Sequence, residues 1–496
     1  MLKQKLPFFS IVIPTRNRAD TLEYTIKTIL NQDFCDFEII VCNNNSMDNT
    51  EELIGSICDS RIKYIKSERD LSMSDNWELA YTQVKGKYVT YLADNDGFLN
   101  GSLSFLYDLL KLNNLPTIIR WEKNLYNWPS MDSVNKNLLL VKLSKNFEFM
   151  ESNKIVQEVL DGKRKFQDLP MIYTSVIKRD LVEILIKKTG RIFHSISPDL
   201  STGFSFAILE KSYLSLSYGI TCGATSAKSN GFNCLTKNNS IIEEFKKLSE
   251  ASTINFHKNI PFVKSLTAAV VESFLKIQEK LNHSMFNINY QIVYERIISE
   301  VIILDDLDLE VTTNKILQSS AFDLNLYQWV KKYLKENPLK INLYKDKKAM
   351  IGFDDISGIL TLFGNTFNLS NIENTCNFMS NFYSYSFNHI SFPIIKFSTL
   401  DQIQKNAKIA IWGNGQLSKN LQQYITTYRL DIHIKCIIDS FVEDKISFPK
   451  IILPHNLDHK SIDYLIIAST FVEEISEIIL KHKFNKSLQL FKYENI

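Results

Sequence analysis

Short apolar runs alternate with amphipathic segments through the first hundred residues, and this alternation restricts the fold more than any other feature. Four runs predict buried strands: Phe9–Pro14, Glu38–Cys42, Ile62–Ile65 and Tyr88–Leu92. Three segments between them have helical spacing: Ala19–Asn31, Asp48–Ile57 and Ser74–Lys85. Strands that alternate with helices predict the α/β class, with a mostly parallel sheet covered on both faces. Because ligands of such sheets bind beyond the carboxyl ends of the strands, the polar residues after each strand are the candidate functional residues.

The rest of the chain has two further kinds of pattern. Long segments with helical spacing, such as Ile260–Leu281 and Gln291–Val301, predict a helical region. The stretch 337–400, rich in Asn, Phe and Ser, does not specify its elements. Three apolar runs then restore the strand pattern: Lys408–Trp412, Ile434–Ile438 and Tyr464–Ala468. We predict an N-terminal domain over 1–235, a mainly helical region over 236–400 and a small α/β domain over 401–496, since 496 residues suffice for roughly three domains.

Charge and cysteine content restrict the partners and the compartment. Lys and Arg number 57 against 55 Asp and Glu, and a net charge of +2 argues against a dedicated nucleic-acid binder. Seven scattered cysteines with no C-x-x-C favour reduced thiols over a disulfide scaffold or a zinc site. No apolar stretch reaches the ~18 residues of a membrane span. We therefore expect a cytoplasmic protein; peripheral association with the inner face of the cytoplasmic membrane and homo-oligomerisation stay open.

Asp94 and Asp96 form the sharpest local motif, two carboxylates directly after the fourth predicted strand. Mg²⁺ and Mn²⁺ prefer such oxygens and share their ligands with substrate phosphates. A cation there would neutralise the charge on a departing diphosphate. Asp, Asn and Gly also form ordinary turns, so the motif alone is compatible with a turn or a metal site.

Polar segments also follow the first two predicted strands. They are Pro14-Thr15-Arg16-Asn17-Arg18 and Cys42-Asn43-Asn44-Asn45-Ser46-Met47-Asp48. Their amides and hydroxyls can bind a base or a ribose, and the same residue types cap helices well. Taken singly, neither segment decides between the two roles.

The three segments together, in this order and spacing, resemble the family 2 glycosyltransferases, which have the GT-A fold. Ser74-Asp75-Asn76-Trp77-Glu78 is similar to a segment of many bacterial members, and the resemblance covers about Phe8 to Gly231. It implies that a nucleotide-sugar donor is bound by Pro14, Thr15, Arg16, Asn43 and Asp94, and that Asp94 and Asp96 hold Mn²⁺ or Mg²⁺. The family commonly has Asp at the position of Asn43, so uridine is expected and cytidine stays open.

The resemblance also implies a general base, about a hundred residues beyond the two aspartates and at the start of a helix. Asp199, after Pro198, fits that position. A helix N-terminus stabilises the charged carboxylate, which suits a base that is ionised at neutral pH. Its alternative role is a helix cap. The segment Gly223–Gly231 resembles one that follows the base in related sequences, and Ser226 and Lys228 are candidate lid residues; an exposed loop is the alternative.

The C-terminal region carries G-x-G-x-x-S after a predicted strand, which is the dinucleotide-binding pattern with its third Gly replaced. Gly413, Gly415 and Asp439 are its candidate ligand residues. The region looks similar to small Rossmann-like domains appended to bacterial sugar-modifying enzymes, and we favour a structural, docking or regulatory role for it.

These observations predict an inverting, metal-dependent glycosyltransferase. It would move a sugar from a nucleotide-diphosphate donor, expected to be UDP-linked, to a hydroxyl of a glycan or lipid-linked glycan. The resemblance suggests a bacterial surface polysaccharide such as capsule or O-antigen. Two alternatives remain: an inactive scaffold that binds a nucleotide sugar, and an NAD-linked sugar-modifying enzyme that acts through the C-terminal domain.

Overall fold

The computed structural model describes most of the chain. The described residues are 6–112, 115–131, 133–143, 147–229, 239–283, 285–303, 305–341, 348–354, 357–386, 394–395, 403–428, 431–439, 449–453, 456–458, 461–467 and 489–493. The chain divides into two compact units, one made of residues 1–110, 115–144 and 149–380, and the other chiefly of 381–496. The predicted domain boundaries at 235/236 and 400/401 remain predictions.

Twelve strands of the N-terminal unit form one sheet. They are β1 (Phe9–Thr15), β2 (Phe37–Asn43), β3 (Ile62–Lys66), β4 (Tyr88–Tyr91), β5 (Gly97–Phe98), β6 (Ile118–Asn127), β7 (Leu138–Lys142), β8 (Phe147–Glu151), β9 (Ser175–Lys178), β10 (Ser212–Thr225), β11 (Gly352–Asp354) and β12 (Ile359–Phe363).

Thirteen helices accompany the sheet in the described residues of this unit, with short 3₁₀ turns at Phe166–Asp168 and Gly364–Phe367. They are α1 (Ala19–Leu30), α2 (Thr50–Ser56), α3 (Met73–Tyr81), α4 (Ser102–Leu112), α5 (Ser152–Leu160), α6 (Arg179–Thr189), α7 (Pro198–Leu209), α8 (Asn239–Glu250), α9 (Leu266–Leu281), α10 (Tyr290–Glu300), α11 (Asp306–Ser320), α12 (Leu324–Glu336) and α13 (Ile372–Ser386).

The sheet is parallel in one half and mixed in the other. Its order is β11-β12-β7-β6-β9-β4-β1-β2-β3, and β10 pairs with β5, β6 and β8. Strands β3, β2, β1 and β4 are mutually parallel, as predicted. Beyond β4 the prediction of a mostly parallel sheet is wrong, because β9 is antiparallel to both β4 and β6. The chain there returns between β6 and β7 without a crossover helix, which only antiparallel strands allow.

The central position of β1 determines where the site lies. It pairs in parallel with β2 on one side and β4 on the other, and Thr15 is level with Asn43. The helix that follows β1 buries Leu22, Ile26 and Ile29 against the sheet, as its 3.6-residue spacing predicts. The segments that follow β1, β2 and β4 therefore all begin at one edge of the sheet.

The helical region shares a core with the sheet. Phe274 and Val271 of α9, and Ile297 of α10, are buried in one cluster with strand residues such as Val12 and Val89. Phe274 contacts Phe204 of α7 edge to face, with ring centroids 5.3 Å apart. A second cluster joins α10 to α11 and α12. Among the residues that the sequence left unassigned, β11 and β12 extend the sheet through β12 beside β7.

The C-terminal unit contains a parallel sheet of its own. Its described elements are β13 (Ile394–Ile395), β14 (Lys408–Trp412), α14 (Gln416–Tyr428), β15 (His433–Ile438), β16 (Lys450–Ile452), β17 (Tyr464–Ile467) and β18 (Gln489–Tyr493). The strand order is β13-β18-β17-β14-β15-β16, with every described pair parallel. The three strands predicted from the sequence are β14, β15 and β17; Ala468 lies outside the described residues.

Two glycines provide a matched test of the packing beneath β1. A Cβ on Gly86 would lie 2.5 Å from the backbone nitrogen of Ser10, whereas a Cβ on Gly55, inside α2, would meet nothing within 4 Å. We expect Gly86→Ala to lower the free energy of unfolding by about 1–3 kcal/mol through overpacking. Gly55→Ala should raise it by up to about 1 kcal/mol through helix propensity. Urea titration of both variants checks this, and a loss of equal size in both would contradict it.

Candidate active site

A cavity of about 610 Å³ opens at the carboxyl ends of β1, β2 and β4. Five of the predicted site residues line it: Pro14, Thr15, Arg16, Asp94 and Lys228. The remaining lining residues are Asn17, Arg18, Asn44, Met47, Asp48, Leu71, Met73, Asn76, Trp77, Ala93, Glu244, Phe245 and Leu248. The sequence-predicted residues Asn43, Asp96, Asp199 and Ser226 are not among them.

Two hydrogen bonds join the loop after β1 to the loop after β2. The Asn17 backbone N–H donates to Ser46 Oγ at 2.9 Å, and the Met47 N–H donates to Asn17 Oδ1 at 2.7 Å. Asn17 and Asn45 both have positive φ, 53° and 47°. Asn tolerates this left-handed backbone better than most residues, which explains why amides are so frequent in these loops.

Arg16 joins the loop after β1 to the side of the cavity formed by α8. Its guanidinium donates to the Asn44 carbonyl at 2.8 Å and forms ion pairs with Asp70 and Glu244. Glu244 precedes Phe245, which lines the same cavity. Helix α8 therefore contributes both a charge and apolar surface to the pocket, which the sequence analysis did not foresee.

Asn43 does not reach the cavity. It is fully buried; its Oδ1 accepts from the Ser46 N–H and its Nδ2 donates to the Tyr64 hydroxyl, each at 2.9 Å. Both ends of the amide thus stabilise the turn after β2. The neighbouring Asn44 is the residue that lines the cavity.

Asp94 is buried at the inner end of the cavity. Its Oδ2 accepts from Thr15 Oγ1 at 2.8 Å and its Oδ1 pairs with Arg18 at 2.9 Å. Burial raises the pKa of Asp94, while Arg18 and Thr15 act in the opposite direction. Thr15 and Asp94 lie 79 residues apart in the sequence and are both predicted to belong to the donor site. Their side chains are in direct contact.

Asp96 is buried too, but its carboxylate is held by residues other than those of the cavity. Lys123 of β6 approaches Asp96 Oδ2 to 2.5 Å, and the Ala224 N–H of β10 donates to Oδ1 at 2.8 Å. The Lys123 ammonium also lies 4.0 Å from the centroid of the Tyr173 ring. Lys123 and Tyr173 are site residues that the sequence analysis missed.

The two carboxylates are the donor set available for a divalent cation. No group of three or more His, Cys, Asp or Glu side chains suited to a metal occurs among the residues that the structure describes. Mg²⁺ is commonly held by one or two carboxylates and completes its shell with substrate phosphates and water. Asp94 and Asp96 supply two carboxylates of that kind, and in this structure each of them is paired with a cationic side chain, Arg18 and Lys123 respectively.

Asp199 lies in the first turn of α7 and is partly buried. Ser197 is the N-cap and Pro198 is the first helical residue, so Asp199 is not the cap itself. Burial raises the pKa of Asp199; the backbone N–H groups of the helix and the charge of Lys123 lower it. The helix terminus acts in the expected direction, but burial has the larger effect.

Tyr173 lies within electrostatic range of both Asp96 and Asp199. Burial raises the pKa of Tyr173 well above its ordinary value, and the charges of Asp199 and Asp96 raise it further. Lys123 interacts with Asp96, Asp199 and the Tyr173 ring. The predicted base and the second aspartate of the D-x-D motif therefore share one neighbourhood.

Polar contacts fix the loop that leads to Asp199. The Ser195 carbonyl accepts from Ser74 Oγ at 2.6 Å, and Ser195 Oγ donates to Glu272 of α9 at 2.5 Å. Glu78 accepts from the backbone N–H groups of Ile192 and Phe193. The Ser74–Glu78 segment of the sequence is thus the support for this loop, and its Trp77 lines the cavity.

The candidate lid lies against the loop after β1. Lys228 Nζ donates to the Asn17 carbonyl and to Asp20, each at 3.0 Å. The Ser226 N–H donates to Ser229 Oγ at 2.8 Å. Asn230 and Gly231 lie outside the described residues, and the lid role of Ser226 and Lys228 stays a prediction.

In the C-terminal unit, the predicted glycines follow β14. Gly413 has a φ of 121°, which favours glycine, and its N–H donates to the Ile438 carbonyl at 2.8 Å. Gly415 has open space where a Cβ would lie. The Asp439 N–H donates to the Ile452 carbonyl at 3.0 Å. A ligand at Gly413, Gly415 and Asp439 stays a prediction.

Residues 10–161 match the family described as Glycosyl transferase family 2. This part of the chain is similar to the family 2 glycosyltransferases, and the match covers less than a third of the chain. Residues 405–488 match a second family, described as C2185-like, N-terminal. The transferase match runs from β1 through β8 and ends just after α5, so Asp199 and α8 lie beyond it.

Named relatives match the transferase domain. A GalNAc(5)-diNAcBac-PP-undecaprenol β-1,3-glucosyltransferase of Campylobacter jejuni is 40% identical over 104 residues, 20% of this chain and 34% of that protein. A UDP-Glc:α-D-GlcNAc-diphosphoundecaprenol β-1,3-glucosyltransferase, WfgD, of Escherichia coli is 26% identical over 106 residues, 21% of this chain and 42% of that protein. The chain therefore spans well under half the length of these curated relatives.

Among solved structures, S. aureus TarS residues 1–349 in complex with UDP-GlcNAc aligns with 70% of this chain and all of that one. The identity is 12% and the TM-score is 0.39, too low to support an inference about ligands. Among the described residues, no helix is both long and apolar enough to cross a membrane.

The buried Glu272 predicts a pH-dependent stability. Burial raises its pKa to about 7 from 4.5, so the folded chain holds a proton that the unfolded chain has lost between these values. Stability should fall as pH rises through that window. Glu272→Gln removes this titration. The difference in free energy of unfolding, variant minus parent, should therefore be about 2–3 kcal/mol larger at pH 8 than at pH 5.

Urea unfolding of parent and variant at the two pH values measures this. Glu310→Gln, on the exposed side of α11, is the matched control. If the free energy of unfolding of Glu272→Gln depends on pH in the same way as that of the control, Glu272 is not the group that causes the loss of stability.

Proposed function

We propose that this protein is an inverting, metal-dependent glycosyltransferase that uses a UDP-sugar. It transfers the sugar to a hydroxyl of a lipid-linked glycan during synthesis of a bacterial surface polysaccharide. The observation that carries the proposal is the convergence of Thr15, Arg16 and Asp94 on one cavity, with Asp96 and Asp199 sharing a neighbourhood around Lys123 and Tyr173. The named acceptors of the Campylobacter and Escherichia relatives, both undecaprenol diphosphates, support the acceptor class.

The cavity suits a nucleoside diphosphate because one part of its lining is apolar and another part is charged. Trp77, Met73 and Phe245 offer apolar and aromatic surface to a planar base. Arg18 and Lys228 lie on the same lining as Asp94 and can pair with phosphate oxygens. Under this proposal Asn43 acts by shaping the turn. Asn44 lines the cavity, but its amide exchanges hydrogen bonds with the Leu71 backbone.

The chemistry is a single displacement. Asp199 accepts the proton of the acceptor hydroxyl as its oxygen bonds to the anomeric carbon, and the bond from that carbon to the diphosphate oxygen breaks with its electron pair. One carboxylate suffices because no glycosyl-enzyme intermediate forms. A divalent cation held by Asp94 and Asp96 would supply positive charge to the leaving diphosphate.

The base assignment predicts a selective loss of turnover. Asp199→Asn keeps the shape of the side chain but cannot accept the proton, so kcat should fall by about 10²- to 10⁴-fold while the affinity for UDP stays near that of the parent. Transfer assays with radiolabelled donor and calorimetric UDP titration measure the two effects. The control is Asp180→Asn, which changes an exposed carboxylate of α6. Transfer at the parent rate by Asp199→Asn would exclude Asp199 as the base.

The donor site predicts linked stabilisation by nucleotide and metal. Only a ligand that prefers the folded chain raises the unfolding midpoint. We expect UDP with Mn²⁺ to raise it, and the combined substitution Asp94→Ala and Asp96→Ala to abolish the rise. Thermal unfolding with UDP, CDP, Mn²⁺ and each pair tests this. A rise with CDP alone would move the donor to cytidine, and no rise with any nucleotide would favour the inactive scaffold.

A further inference from the structure

The side chain of Lys123 occupies a slot that is built for it. It extends from β6 past Gly223 of β10, where an added Cβ would lie 2.7 Å from Lys123 Cδ. The ammonium lies 4.0 Å from the centre of the Tyr173 ring and 2.5 Å from Asp96 Oδ2. The absence of a side chain at Gly223 leaves room for Lys123, and the Tyr173 ring and the Asp96 carboxylate hold its ammonium beside the D-x-D motif. Only 14% of the Lys123 side chain is exposed.

The D-x-D motif is electrically balanced by the chain itself. Arg18 pairs with Asp94, and Lys123 pairs with Asp96. The other oxygen of each carboxylate accepts a neutral hydrogen bond, from the Thr15 hydroxyl and the Ala224 N–H respectively. All four oxygens therefore have partners, and a divalent cation arriving alone meets two positive side chains at a neutralised site.

We propose that Lys123 competes with the divalent cation for Asp96, so that the free enzyme binds the cation weakly and the donor diphosphate is needed to complete the site. The inference rests on the proposed function, since it assumes that Asp96 holds the metal. Like charges a few ångströms apart near a protein surface repel by several kT, which is enough for a change of tenfold or more in affinity. Diphosphate oxygens reverse the balance because they add negative charge, which attracts the divalent cation.

Direct Mn²⁺ binding to the full chain tests the proposal without an activity assay. The unbound Mn²⁺ signal in electron paramagnetic resonance gives the affinity with and without UDP. Without UDP, Lys123→Gln should bind Mn²⁺ at least about tenfold tighter than the parent, because the repelling charge is gone. The difference should shrink when UDP is present. Lys123→Arg, which keeps the charge, should resemble the parent.

Two controls fix the interpretation. Lys63→Gln removes a lysine that pairs with buried Glu38 away from the D-x-D motif, so it should leave Mn²⁺ affinity unchanged. Asp96→Asn should remove the tight site from the Lys123→Gln background. Circular dichroism shows whether each variant folds, and Lys123→Met, which also removes the charge, takes the place of Lys123→Gln if that variant does not fold.

The outcomes separate the inference from the proposed function. If Lys123→Gln binds Mn²⁺ no tighter than the parent, while UDP still brings Mn²⁺ to Asp96, the competition is absent and the transferase proposal is intact. If neither protein binds Mn²⁺ even with UDP, the metal-dependent part of the proposed function fails and this inference fails with it. If Lys123→Arg binds as tightly as Lys123→Gln, the effect is one of shape and the proposal is overturned.

Discussion

The parallel pairing of β1 with both β2 and β4 is the constraint on which the site depends. Parallel neighbours run in one direction, so their carboxyl ends lie along one edge, and three loops distant in sequence meet there. Thr15 reaches Asp94 for this reason, and the Asn17–Ser46 and Met47–Asn17 hydrogen bonds then tie the first two loops together. The interlocking of these loops gives the cavity a defined lining at Pro14, Thr15 and Arg16.

Burial and charge then set the behaviour of the carboxylates. Burial raises the pKa of both Asp94 and Asp199, and in each case a cation from another strand or loop opposes it, Arg18 for the former and Lys123 for the latter. Buried charges need such partners because the cost of removing them from water is high. Under the proposed function, the side chains that stabilise these buried carboxylates, Arg18 and Lys123, are therefore also the ones that lie nearest to an incoming diphosphate or divalent cation.

Local patterns predicted the parts of this protein that depend on neighbours in sequence. The strand–helix alternation predicted β1 to β4 and their helices, and the D-x-D motif predicted two aspartates at a strand end. Lys123 and Glu244 were not predictable in this way. Lys123 lies 27 residues from Asp96 in the sequence, and Glu244 lies 228 residues from Arg16. No periodic pattern in the sequence predicts either contact.

Asn43 shows a different limit. The sequence places a polar residue at the correct strand end, but two polar neighbours follow it, and only the turn decides which of them faces the cavity. The pairing of Asn43 with Ser46 and Tyr64 turns its amide inward and leaves Asn44 at the lining. The antiparallel pairs in the mixed half of the sheet were missed for a similar reason, since strand direction depends on connections that the apolar pattern of a strand does not encode.

The boundary of the family match has an evolutionary consequence. The match ends at residue 161, so it includes β1, β2, β4 and the D-x-D motif, but Asp199, Lys228 and Glu244 all come later in the chain. The β1, β2 and β4 side of the site therefore comes from the part of the chain that the family model covers, and the proposed base and the α8 side of the cavity come from the part that it does not cover. Under the proposed function, the two parts can therefore diverge at different rates while both continue to line one cavity.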